Sequence, residues 1–187
     1  MKNILNYLSS ELSKEAVKVE SIFQKECQVW VSRKLACKLI ILGEAPLTRE
    51  QFFYNKKTGK YLSFLKQQYT TAKKLKDDDY REFLRTKGIL NLDIYQYPLP
   101  TNFYDNDKNL ILFDSNFINS KIKSLENKGI ITPNTNFVYR YQKLIDRNFH
   151  SSLQFSSNFK GAHITNEPIA IGANAANINP NLIIYLP

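Results

Sequence analysis

The chain has 187 residues, 43% of them hydrophobic, and a net charge of +9 with a pI near 9.4. That length fits one domain whose core needs no metal or disulfide to hold it, and that charge favours a polyanionic partner. Two cysteines, Cys27 and Cys37, are too few for a zinc or iron–sulfur site by themselves or for a secreted disulfide framework. The first residues hold no long apolar run that reads as a signal or membrane span, so a cytoplasmic protein with no membrane association is expected.

Residues 3–34 read as helix. Ile4, Leu5, Leu8 and Leu12 mark one apolar stripe, Val19, Ile22 and Phe23 begin another, and Trp30 is the expected anchor onto the core. Leu39–Leu42, between Lys38 and Gly43, has the pattern of a strand buried on both faces, as in a parallel sheet. Gly43 and Pro46 then bound a stiff loop. Loops at the carboxyl ends of early strands are where open α/β sheets place their ligands. Phe52-Phe53-Tyr54 follow, and then Lys56, Lys57 and Lys60. Between Arg49 and Lys76 there are eight basic residues against one acid, Glu50. A phosphate-binding surface and a solvated lysine-rich face both fit that excess.

Residues 61–76 have helical spacing, and Asp77-Asp78-Asp79 open a further helix that stops at Lys87-Gly88. Residues 89–95 read as a second strand leading into the rigid Tyr97-Pro98-Leu99-Pro100 loop. Residues 110–113 fit a short edge strand or a helix start. Asp114 or Ser115 caps a helix through Ile118, Ile122 and Leu125 to Lys128-Gly129. Asn136–Tyr139 is expected as strand, Tyr141–Phe149 as helix, and Leu182–Leu186 as a closing strand. From Ser151 onward only Lys160 and Glu167 are charged. This alternation predicts a single α/β domain over residues 1–187, a three-layer sandwich with a mostly parallel central sheet.

Three segments in this order resemble the uracil-DNA glycosylase superfamily: LIILGEAP at Leu39–Pro46, the aromatic and basic stretch Phe52–Leu62, and GILNLD at Gly88–Asp93. In that family a strand ends in a Gly-x-x-Pro loop, an aromatic side chain follows, and a later strand often reads Gly-Ile-x-Leu-x-Asp, of which Gly88, Ile89 and Asp93 match. Gly43-Glu44-Ala45-Pro46 is similar to the loop of the iron–sulfur branch, whose cluster cysteines are missing here. Phe53–Leu62 looks more like the mismatch-specific and hypoxanthine branches.

The resemblance implies a monomeric DNA-repair hydrolase that flips an altered base out of the stack and cuts its N-glycosidic bond with water, using no cofactor and no metal. It implies that Gly43, Ala45 and Pro46 bind the base through backbone groups and that Phe53 or Tyr54 stacks on it. Lys56, Lys57 and Lys60 would grip the DNA backbone. Several branches carry Asp or Asn where this chain has Ala45, so the chemistry passes to other residues. Glu44 would offset the cationic transition state, Asn55 would orient water, and His150 would donate to the departing base, with His163 as its rival. Two other functions fit the same elements: a non-catalytic nucleic-acid-binding relative, and an α/β enzyme for small nucleotides. No Gly-x-x-x-x-Gly-Lys or Gly-x-Gly-x-x-Gly loop favours the latter.

Overall fold

The computed structural model describes residues 2–44, 62–95, 115–146, 148–172 and 176–187. Helix α1 spans Lys2–Ser32 and strand β1 Cys37–Gly43. Helix α2 (Asp77–Lys87) leads into β2 (Ile89–Asp93), and α3 (Ser115–Asn127) into β3 (Ile131–Tyr139). A short α4 (Gln142–Asp146) precedes β4 (His163–Ile164), and β5 (Ala170–Ile171) pairs antiparallel with β6 (Asn177–Ile178). The main sheet is parallel throughout, in the order β2-β1-β3-β4. The chain is therefore an α/β protein with a central four-stranded parallel sheet and helices around it, consistent with three layers.

β1 is central because it is apolar on both faces: Leu39, Ile40, Ile41 and Leu42 are all fully buried. Its register places Leu39 beside Ile89 and Asn136, and Leu42 beside Leu92 and Tyr139. Since neighbouring side chains in register share a face, Ile40, Leu42, Leu90, Leu92, Phe137 and Tyr139 point one way, and Gly43, Asn91, Asp93 and Val138 the other. Lys121 on α3 is close enough to act on the charge of Asp93, which sets α3 over the second face. The segment carrying His150, Phe155 and Phe159 covers the first, through ring contacts with Phe137 and Tyr139.

On α1, Val19, Phe23, Cys27 and Trp30 recur at helical spacing and are all buried. The side chains of Ile4, Leu5, Leu8 and Leu12 lie outside the described set. Gly88 ends α2 in the left-handed region, with φ 76°. Its carbonyl accepts from the Lys38 and Leu39 amides at 2.8 and 3.1 Å, so the turn clips α2 to the start of β1.

Three expectations are corrected here. Residues 63–72 are not one helix but two short 3₁₀ turns, Ser63–Gln67 and Thr70–Ala72. Leu62 stands before the first with φ 45°, a backbone conformation that no α-helix continues. The terminal run Leu182–Leu186 is not a strand either. It belongs to a 3₁₀ helix, Pro180–Tyr185, whose start is fixed by the Asn179 side chain accepting from the Asn181 amide and by Pro180 in the first turn. β2 also ends at Asp93, two residues before the predicted limit.

Candidate active site

The strand order places the reversal of chain direction between β1 and β3. β1 connects leftward to β2, and β2 crosses back to β3 on the other side of β1. In open parallel sheets the crevice at the carboxyl ends of such a strand pair receives ligands. The residues at those ends are therefore the first candidates for chemistry.

Beyond β1, the backbone ladder continues with Ile94 and Tyr95 donating to the carbonyls of Gly43 and Glu44 at 3.0 and 2.9 Å. Arg140 donates to Leu42 from the β3 side at 2.9 Å. The Asp93 carboxyl folds across Gly43, so that a β-carbon on Gly43 would stand 2.3 Å from Asp93 Oδ1. Glycine is required by that close approach. Asn91 Nδ2 donates to the same oxygen at 2.9 Å. Burial pushes the Asp93 carboxyl above its ordinary range, and the nearby Glu44 adds to this. The Asn91 hydrogen bond and the charges of Lys121 and Arg140 act in the opposite direction.

Glu44 is 6% exposed, and its carboxylate is held by the Lys143 ammonium from α4. Arg140 lies 4.8 Å over the ring of Tyr141, whose phenol burial pushes up. Two carboxyl groups, two cations and a phenol thus gather at the ends of β1, β2 and β3. One of the carboxyls is paired with a cation, and the other is pressed toward its neutral form.

His150 sits half-buried in the 3₁₀ turn Phe149–Ser152, and His163 opens β4. The two rivals are neighbours: their ring centroids are 6.4 Å apart, and Tyr139 lies 6.4 Å from His150 and 5.8 Å from His163. Burial, then the adjacent His150, pushes His163 down to about 4. Phe155 closes on His163 at 5.0 Å and stacks on Phe159 at 4.4 Å.

Of the residues expected at the site, Gly43, Glu44 and His150 are placed at the carboxyl side of the sheet. Ala45, Pro46, Phe53, Tyr54, Asn55, Lys56, Lys57 and Lys60 lie outside the described residues. Among the other lysines of the basic stretch, Lys66 is used internally: it donates to the Leu75 carbonyl at 3.0 Å and covers the Tyr80 ring. Lys73, Lys74 and Lys76 are exposed. Sequence reasoning missed Asn91, Arg140, Tyr141 and Lys143. A polar Asn91 inside an apolar strand was the one local signal.

Among the described residues, no three His, Cys, Asp or Glu side chains converge as a metal site. Cys27 and Cys37 are separate buried thiols, pushed up by burial to about 11 and about 12. No described helix is long and apolar enough to cross a membrane. Comparison of the chain with protein families, curated proteins and solved structures returns no match.

Proposed function

We propose that the chain is a DNA glycosylase-like hydrolase of the uracil-DNA glycosylase type, cutting the N-glycosidic bond of a deaminated or otherwise altered base. The observation that carries this reading is Glu44, a buried carboxylate held by Lys143 at the end of the central strand and at the switch point of the sheet. Cleavage of an N-glycosidic bond builds positive charge on the sugar and negative charge on the leaving base. A fixed carboxylate near the sugar offsets the first, and preorganised donors near the base offset the second. Lys143 limits the rotamers of Glu44, so the carboxylate needs no reorganisation during the reaction. Asp93, kept toward its neutral form by burial and positioned by Asn91, is a proton donor on the same edge. The net charge of +9 and the exposed Lys73, Lys74 and Lys76 suit a phosphate backbone.

A second reading, a nucleic-acid-binding relative without turnover, is favoured by Ala45 standing where other branches carry Asp or Asn. A base-release assay on oligonucleotides carrying uracil, hypoxanthine, xanthine or mismatches separates the two. Release of any base from one of these substrates supports the hydrolase. Salt-sensitive DNA binding without release from any of them supports the binding relative.

A further inference from the structure

Helices α1 and α3 leave a cavity of about 520 Å³ between them, bounded by residues 16–24 of the first and 117–124 of the second. That volume lies in the range of small-molecule sites. Lys121 is the one cation among its described lining residues, with a side chain only 10% exposed. Its ammonium nitrogen stands 3.2 Å from Glu20 Oε2, and 4.1 and 4.6 Å from the ring centres of Phe23 and Phe117. Glu20 is in turn aimed by Gln24, whose Nε2 donates to its other oxygen at 2.6 Å. An amine, a carboxylate within hydrogen-bond reach and a third group orienting that carboxylate are the parts of an activated nucleophile. All of them line this cavity. A lysine that only tied two helices together would gain from keeping its charge. Burial instead pulls Lys121 below its ordinary range, against the hydrogen bond and charge of Glu20 and the charges of Asp93 on β2 and Cys27 on α1. Asp93 and Cys27 are themselves pushed toward their neutral forms, which leaves Glu20 as the main group opposing that shift.

We propose that Lys121, with Glu20 as its proton carrier, is an imine-forming amine, and that the cavity between α1 and α3 takes an uncharged, flat, conjugated aldehyde. This second activity is independent of the glycosylase reading. The charges of Lys121 and Glu20 cancel, and the described lining adds no second cation for a phosphate or carboxylate, so the ligand is neutral. Val17 and the faces of Phe23 and Phe117 beside the nitrogen supply apolar walls on which a conjugated group can lie. In the reaction the neutral amine attacks the carbonyl carbon, and the carbonyl electron pair passes to its oxygen. Both nitrogen protons then move to that oxygen by way of Glu20, and it leaves as water. An imine forms without any oxidant or reductant.

The test uses the whole protein and 4-dimethylaminobenzaldehyde, whose absorbance shifts when its imine forms. Borohydride reduction then fixes the adduct for peptide mapping. Near neutral pH the adduct should fall on Lys121 ahead of the exposed Lys73 and Lys74. Lys121→Met should abolish the absorbance change, with thermal unfolding confirming that the variant folds. Glu20→Gln separates chemistry from a plain ion pair. An ion pair alone predicts faster imine formation in this variant, because no carboxylate remains to favour the ammonium. The proton-carrier role predicts imine formation slower by about 10²-fold. Adducts spread over surface lysines without preference for Lys121 would overturn the proposal, and that map needs no variant to fold. Imine formation that is unchanged or faster in Glu20→Gln would overturn it equally, leaving Lys121 and Glu20 as a tie between helices.

Discussion

The two ends of the parallel sheet are built on opposite rules. At the amino end, where α1 and α2 run into β1 and β2, polar groups are bonded to saturation. Glu26, 5% exposed, accepts from Trp30 Nε1 at 2.9 Å and from two nitrogens of Arg85 at 2.6 Å each. Glu82 joins Arg85 to Arg33. At the carboxyl end Asp93 is held toward its neutral form, and three polar atoms of Tyr139, His150 and His163 lack partners among the described residues. On the proposed reading the difference separates stability from function: the amino end contributes to stability, and the carboxyl end gives some up for the site.

The contrast can be broken most severely at its stable end. Glu26→Ala would leave the Trp30 N–H unpaired and Arg85 with only its longer, 3.2 Å pairing to Glu82, and should lower unfolding free energy by about 3 kcal/mol in a urea titration. At the other end, Glu44→Ala should leave the urea midpoint nearly unchanged, because Lys143 is 41% exposed and can hydrate. If the glycosylase reading holds, the same change should lower single-turnover base release by about 10²–10⁴-fold. Equal rates in the two proteins would remove Glu44 from the mechanism.

Acid should sharpen the distinction further. His163 titrates at about 4 when folded and near 6.5 when unfolded. The unfolded chain therefore binds more protons across that window, and stability falls as pH drops through it. His163→Phe should flatten that loss. Asp93 works in the opposite sense. Its folded value is raised, so its contribution is present in acid and fades as pH rises above the ordinary carboxylate range, a slope that Asp93→Asn should remove. Urea titrations at half-unit pH steps would check both signs.

The smallest effect on folding is expected at the exposed lysines. Lys73→Ala, Lys74→Ala and Lys76→Ala should each change stability by less than about 0.5 kcal/mol. If the chain binds DNA as proposed, every phosphate that the triple variant no longer neutralises should reduce the log–log salt slope by about 0.9. A slope identical to the parent's would leave these lysines as a solvated face.

How much of this was legible in the sequence follows from the range of the interactions. α1, β1, α3 and the stop at Gly88 are local patterns, and the helices and strands end within a few residues of where periodicity and caps place them. The 63–72 region defeats the pattern because short 3₁₀ turns satisfy apolar residues spaced three apart as well as a helix does. At the terminus the Asn179-Pro180 start signal was present, but the apolar run after it outweighed it. Gly43 and Glu44 could be singled out because they end β1 and directly follow it. Lys143 and the pairing of His163 with His150 could not, since an ion pair between Glu44 and a residue ninety-nine positions away leaves no local trace.

The central position of β1 also bears on how the chain reaches its fold. Leu39 pairs with Ile89, fifty residues on, and with Asn136, ninety-seven on. Among the described residues, no strand nearer in sequence pairs with it. Closing loops of that length before any ladder forms is the entropic reason parallel sheets assemble slowly. At roughly 5–20 residues per second of synthesis, β1 leaves the ribosome several seconds before β2 does. When β1 emerges, α1 is the one described element already made, so Leu39–Leu42 begins as an uncovered apolar segment. The strand that organises the finished protein is thus its main hazard for aggregation at birth, and Lys38 and Glu44 at its two ends act as charged gatekeepers against self-association.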